Sequence, residues 1–455
     1  MTSAPDASIV PKPRASWREG WAVYLQRRVL IVLLLGFSSG LPLALSGSTL
    51  RFWMRESGID LETIGLFALV GLPYTIKFIW APLVDALDVP LLSPWLGRRR
   101  GWLILSQLAL IVAIMLLGLC NPAFTPWYIV FGVALLVATA SATQDIVVDA
   151  FRIESLDESE QAAGMASYVA AYRISNLVST AGALYIVSGL EEFGLARGPA
   201  WTGAYIAMAA LIVIGMIAVL LARAPTERAG AEDTTVASNP AARVFRTAYG
   251  AFSDLLSRDM AIASLAFVVL YKFTDAFSGV MTEAFVLDLG FERTDYAKIV
   301  KGVGLAATLL GGFAGGFLAR AYSLPASLWI GGVLQATANL SFTWLAFVGM
   351  NHWALALAIT VENFTSAIGT VIFVAYLSSL CKNPLHVATQ YALLTAFASL
   401  GRTVFSAGAG YVAKATGWPL FFAICVLVAV PSLILLAWLQ RRGHFEGLGA
   451  RVESP

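Results

Sequence analysis

Charge is scarce in this chain. Lys and Arg number 30 and Asp and Glu 28 among 455 residues, 13% of the whole, against about 25% in an ordinary soluble domain. A soluble multidomain protein is therefore excluded, although the length alone would allow one. The formal net charge of +2 is too small to draw a nucleic acid. Cysteine is as rare. Cys120, Cys381 and Cys425 show no metal-like or redox-like spacing, and the first and last fall in apolar runs as small hydrophobes. His352, His386 and His444 form no ligand pair, so neither a metal nor any other cofactor is expected. There is no GxSxG elbow, phosphate-binding loop or ATP-binding domain. The glycine-rich stretch 302–316 has no preceding strand and makes no dinucleotide turn. An enzyme is not expected, and uphill work by such a chain would draw on an ion gradient.

What the chain has is apolar length. It is 58% hydrophobic, with a mean hydropathy of +0.75. A membrane-crossing helix needs roughly 20 mostly apolar residues. Twelve runs meet this, at 29–51, 63–88, 101–120, 126–150, 161–188, 199–222, 258–281, 295–319, 323–349, 352–379, 386–412 and 417–440. Residues 1–28 are polar and Pro-containing, unlike a cleavable signal, and read as a cytoplasmic tail before the first span. Basic residues orient the rest. With the tail inside, the inner loops collect Arg27, Arg28, the cluster Arg98–Arg99–Arg100, Arg152 and most of the others. The outer loops keep only Arg55, Arg197, Arg293 and Lys414. The even span count returns the tail 441–455 to the cytoplasm.

A polar loop, 223–257, has linker composition and divides the spans into bundles at 29–222 and 258–440. A weak repeat supports the division: Gln161, Tyr168 and Arg173 of span five recur as Gln390, Phe397 and Arg402, 229 positions on. The expected fold is thus all-α in the membrane, with twelve helices in two six-helix bundles related as parallel repeats. This is the major facilitator architecture, whose site lies between the halves at mid-membrane.

Ionisable residues inside such spans should face a cavity or a partner. The acids are Asp85, Asp145, Asp149, Asp275 and Glu362, and the basic residues Arg51, Lys77, Arg173, Lys272, Lys298, Lys301 and Arg402. Arg51 and Lys298 lie near expected helix ends, from which long side chains reach the interface. Arg173 and Arg402 either pair with acids on neighbouring helices or bind an anionic group of a solute, for which the guanidinium fork is suited. Lys272 and Asp275, three apart, can pair as a structural or gating couple. Glu362 is either permanently paired or the proton-coupling acid, with Asp145 and Asp275 as further candidates. Asp149 is expected to pair with Arg152 or the Arg98–Arg100 cluster as a gate, joined by Asp85. Asp145 with Gln144 is expected to reach the cavity. Tyr74, Lys77, Tyr168, Gln335 and Asn339 complete an expected polar wall suited to a large hydroxyl- and amide-rich solute. The proline and glycine pairs of spans one and two, and the glycines of span eight, read as close-packing faces or as kinks.

Several stretches together carry a resemblance: Gly36-Phe-Ser-Ser-Gly-Leu-Pro-Leu-Ala-Leu45, Gly71-Leu-Pro-Tyr-Thr-Ile-Lys-Phe-Ile-Trp-Ala-Pro-Leu-Val-Asp85, Leu96-Gly-Arg-Arg-Arg-Gly-Trp102, Ala142-Thr-Gln-Asp-Ile-Val-Val-Asp-Ala-Phe-Arg-Ile-Glu154 and Tyr172-Arg173. The chain is similar, most densely over 30–190, to the AmpG branch of the major facilitator superfamily, the muropeptide permeases. The resemblance implies a proton-driven importer in the bacterial inner membrane, and the chain is expected to be a monomer. Its substrates would be N-acetylglucosaminyl-1,6-anhydro-N-acetylmuramyl peptides returned for wall recycling. The family also includes acetyl-CoA transporters, and some members carry two helices more than the twelve found here. Transport of another bulky anion such as a CoA ester or a drug, or a non-transporting assembly or sensor role on the same fold, therefore remain the alternatives.

Overall fold

The computed structural model describes residues 23–157, 160–222, 260–380 and 387–446, with the backbone alone at 82, 85, 86, 161, 162, 320, 387–393 and 402. The expected linker 223–257 and most of both expected tails lie outside the described residues. So do the side chains of Asp85 and Arg402.

Among the described residues, twelve helical rods cross the molecule. They are α1 (Arg27–Glu56), α2 (Leu61–Ile79), α3 (Arg98–Leu119), α4 (Trp127–Ser155), α6 (Arg197–Leu221), α7 (Ala261–Asp288), α8 (Arg293–Ala319), α10 (His352–Leu380) and α12 (Trp418–Arg441), with α5 at 161–192, α9 at Leu324–Val348 and α11 at 387–416. Among the described residues, the first nine named are long and apolar enough to cross a membrane on length and composition alone. The other three carry a heavier polar load, such as Tyr168, Arg173 and Asn176 on α5. Residues 23 and 446 lie on one face, here the chain-end face. The short connections 57–60, 120–126, 193–196, 289–292 and 349–351 form the opposite, far face.

Several expected ends move, two of them beside charged residues. α1 runs to Glu56 and α4 to Ser155, each five residues past the expected stop. Arg51 and Asp149 therefore sit inside helices, not at their ends. The glycine and proline motifs divide in use. Gly36 and Gly40 of α1, four apart, have no room for a side chain. A Cβ at Gly36 would lie 2.6 Å from Tyr168 O, and one at Gly40 2.5 Å from Tyr172 O. Small residues at this spacing let two backbones touch, so the motif seats α5 against α1 and sets Tyr168 and Tyr172 in place. The break in α1 falls not at Pro42 but at Gly47 (φ −107°, ψ −106°). α2 is interrupted as its prolines suggest, alternating short α and 3-10 turns from Leu61 to Ile79. On α8, only part of the glycine face is packed: Gly311 and Gly315 lie against Phe364 and Ile368 of α10, while Gly312 and Gly316 meet nothing. α5 and α8 each contain a π-helical turn, Val178–Gly182 and Tyr296–Val303, and these two turns meet between the halves.

Candidate functional site

A cavity of about 680 Å³ lies between the halves. α2, α4 and α5 supply Lys77, Asp145, Asp149, Tyr168, Tyr172, Arg173 and Asn176. α7, α8 and α10 supply Thr282, Glu283, Tyr296, Lys301, Glu362 and Asn363. A second chamber of about 320 Å³ shares Asn176 and Lys301 with the first and adds Arg51, Tyr74 and Thr180.

The charges sort by their partners. Asp145 accepts a hydrogen bond from Ser39 of α1 and lies 4.0 Å from Lys77 Nζ. Ser39 in turn is 3.1 Å from the Tyr168 hydroxyl, so one acid knits α1, α2, α4 and α5. Asp149 pairs with Arg152 at 3.6 Å. Glu283 pairs with Arg51 at 3.3 Å. Among the described residues, three charged groups on the wall have no opposite charge within ion-pair distance. They are Arg173 on α5, Lys301 on α8 and Glu362 on α10. Glu362 accepts a bond from Asn363 Nδ2 at 2.8 Å, and Lys301 Nζ stands 5.3 Å from the centre of the Tyr296 ring. The cavity thus offers two unneutralised cations, one from each half, beside one free carboxyl.

Several expected wall residues lie elsewhere. Gln144 is wholly buried inside the first half, where Nε2 donates to Ser38 Oγ at 3.3 Å. Asp145 is one residue on and turned about 100° away, which is why it alone reaches the cavity. Gln335 and Asn339 of α9 are buried against α10, Gln335 donating to Ser366 O at 3.2 Å and Asn339 to Gln335 O at 3.2 Å. α9 is an outer helix of its half, so its polar face packs against α10 instead of lining the cavity. Asp275 is likewise off the wall. Its carboxylate takes Lys272 Nζ at 2.7 Å and Ser366 Oγ at 2.9 Å, and Lys272 also donates to Thr370 at 3.0 Å. That couple ties α7 to α10 within one half. Tyr74 lines the smaller chamber, with its hydroxyl buried and unpartnered. Phe397, the repeat counterpart of Tyr168, lines an apolar groove between α7 and α11 instead of the cavity.

The described ion pairs of the expected gating set lie within one half. Arg99 holds Glu154 at 2.7 Å and Arg152 holds Asp149, both pairs inside the first half. Arg98 likewise lies in the first half, at the start of α3. The described ion pairs that do cross lie on the far-face side. Arg51 meets Glu283. Arg55 meets Asp288 with two bonds, 2.5 and 2.7 Å. Lys414 meets Glu62 at 2.7 Å. Arg293 reaches Glu56 at 2.6 Å and also holds Glu191, which Arg197 supports at 3.5 Å. Beside them the α2–α11 crossing is so tight that a Cβ on Gly410 would lie 1.8 Å from Leu61 O. The far face is closed, and the cavity opens toward the chain-end face, where no described ion pair spans the halves. Glu56, Glu62, Glu191, Glu283 and Asp288 were not singled out from sequence. For all but Glu283, which Arg51 engages, the signal that could have found them is the sparse set of outer basic residues, because every one of the four is engaged by an acid.

The chain matches the family model described as Major Facilitator Superfamily over residues 32–384. It is 38% identical to the anhydromuropeptide permease of Escherichia coli K12, across 91% of this chain and 80% of that one. It is 32% identical to a Rickettsia felis transporter named AmpG 4, across 92% and 98%. Among solved structures, a POT family transporter in complex with a thioalcohol-conjugated peptide superposes with a TM-score of 0.65 at 12% identity, covering 91% of this chain and 96% of that one. The nucleoside transporter NupG of a crystal structure gives 0.64 at 14%, covering 91% and 99%. At such identity these two show the fold alone. Family model, relatives and fold agree, and the chain belongs to the Major Facilitator Superfamily, in the branch of membrane transporters that holds the anhydromuropeptide permease.

Proposed function

We propose that the protein carries anhydro-muropeptides across the bacterial inner membrane into the cytoplasm, driven by proton influx, and serves wall recycling as a monomer. One observation supports this beyond the 38% identity. The cavity keeps two unneutralised cations, Arg173 and Lys301, and one free carboxyl, Glu362, amid hydroxyl and amide groups. Unpaired charge inside a membrane protein is costly and marks a transport path. The two cations suit the peptide carboxylates of the solute, and the surrounding tyrosines and Asn176 suit its sugar hydroxyls and acetamides. With a volume of about 680 Å³, the larger chamber alone falls in the upper part of the ~300–1,000 Å³ range of small-molecule sites.

In this reading the termini are cytoplasmic, as the basic loops imply, and the open cavity faces the cytoplasm. Glu362 is the proton carrier. It takes a proton when the cavity faces the acidic outer side and gives it up near Lys301 and the water of the open state. The test is uptake of labelled anhydro-disaccharide tetrapeptide into proteoliposomes under an imposed inward proton gradient. Accumulation above the external concentration, abolished by an uncoupler, supports the reading. Absence of uptake overturns it. Competition by unlabelled acetyl-CoA at a lower concentration than the muropeptide would reassign the substrate to the other bulky anion.

A further inference from the structure

We propose that the smaller chamber is a carboxylate subsite, receiving the free carboxyl end of the substrate's peptide arm at Lys301. This rests on the muropeptide reading and names which part of the solute is held where. The two chambers differ in charge. Four acids line the larger one, Asp145, Asp149, Glu283 and Glu362. Among the described residues no acid lines the smaller one, whose described charged groups are Arg51 of α1 and Lys301 of α8. Its remaining polar groups are uncharged, among them Tyr74, Asn176 and Thr180.

The donors there are underused. Among the described residues Lys301 has no carboxylate within ion-pair distance, and its ammonium stands 5.3 Å from the Tyr296 ring. Arg51 gives one nitrogen to Glu283 at 3.3 Å while its buried Nε has no partner, and the buried Tyr74 hydroxyl has none either. Buried donors are normally satisfied, so an acid supplied from outside the chain accounts for this set. Asn176 and Lys301 line both chambers, which makes them the doorway. At about 320 Å³ against about 680 Å³, the smaller chamber admits one arm of a solute whose bulk stays in the larger. Lys301 lies in a π-helical turn, a local widening that recurs at functional positions.

Lys301 is the residue to test, because Arg51 is also part of the far-face closure. Uptake of the labelled free-acid muropeptide by full-length protein in proteoliposomes is competed by unlabelled free acid and by its fully amidated form. The wild type should prefer the acid by about 10-fold or more, the size of a charge-assisted bond. Lys301→Met, checked for an unchanged melting temperature, should bring the two inhibition constants together, and Lys301→Arg should restore a preference. If Lys301→Met does not fold, Tyr74→Phe removes only a hydroxyl and should lower the preference about 3-fold. A wild type that does not distinguish acid from amide, or a folded Lys301→Met variant that still does, overturns the subsite while leaving muropeptide transport standing. No uptake of either form overturns the transport reading instead.

Discussion

Arg173 and Glu362 reach the same cavity from opposite halves, and their chemistry separates in an experiment. Arg173 is exposed to the cavity and has no described ion pair, so its removal should leave folding intact and weaken the solute. Arg173→Ala is expected to raise the KM for muropeptide about 10- to 100-fold, measured by initial uptake rates. Glu362→Gln keeps the shape and the bond to Asn363 but cannot release a proton. It should abolish gradient-driven accumulation while preserving counterflow exchange of labelled for unlabelled solute. Loss of both activities would make Glu362 a binding or folding residue instead. Asp145 is bound to Ser39 and near Lys77, so Asp145→Asn should act first on stability, by loosening α4 from α1 and α2. At this scale the sequence singled out Arg173, Asp145 and Glu362 because charge in an apolar run needs no neighbour to be noticed. Gln144, Gln335 and Asn339 were misplaced because an amide in a span is equally at home on a cavity wall and between helices.

Elements are placed by close approaches. Gly40 stands so near α5 that a Cβ would meet Tyr172 O at 2.5 Å and Ser175 Oγ at 2.0 Å, and a backbone oxygen cannot swing aside. Gly40→Leu is expected to cost about 1–3 kcal/mol by overpacking and to depress uptake further by moving Tyr168 and Tyr172, readable as a lowered melting temperature with reduced transport. The start of α2 is held by Asp60, whose carboxylate accepts from Thr63 N at 2.8 Å. Burial raises the Asp60 carboxyl, but the bonds from Thr63 outweigh it and hold it below its ordinary 3.8. A lowered acid favours the folded state above its unfolded value, so this cap is complete above that pH and lost as pH falls below it. Asp60→Ala should cost about 1 kcal/mol, and the difference from wild type in a thermal melt should shrink as the pH is lowered through that range. The glycine motif Gly36–Gly40 was visible in the sequence. That it packs α5, and that α1 bends at Gly47 instead, follows from which helix lies alongside.

For the whole molecule the decisive bonds are those that join the halves on the far face. Arg293 and Glu56 are 8% and 12% exposed. Removing one partner of so buried a pair costs about 3–5 kcal/mol, and the cost falls only on the state in which the far face is closed. Arg293→Ala should therefore shift the equilibrium toward the far-face-open state by about 100-fold or more. Spin labels at Phe193→Cys and Asn351→Cys, one on each half at that face, should show a longer distance in the variant. An unchanged distance would mean that the apolar packing around Phe52, Tyr296 and Trp201 closes the face unaided. Lys414 and Glu62 are 56% and 30% exposed, a rim pair screened by solvent, so Lys414→Ala should move the distance little.

By itself the sequence determined the membrane class, the twelve crossings, the two halves and the family, because hydrophobic length and local motifs are properties of contiguous residues. It also singled out Arg173, Lys301 and Glu362, which line the cavity. Only the tertiary structure decided which charges are spent on one another. Arg51 with Glu283 and Arg293 with Glu56 join residues more than 230 positions apart, and no spacing rule connects them. The structure likewise decided which face is closed, and that Arg173 and Lys301 have no ion-pair partner among the described residues, because charge balance in a cavity depends on what stands within a few ångströms and not on what stands nearby in the chain.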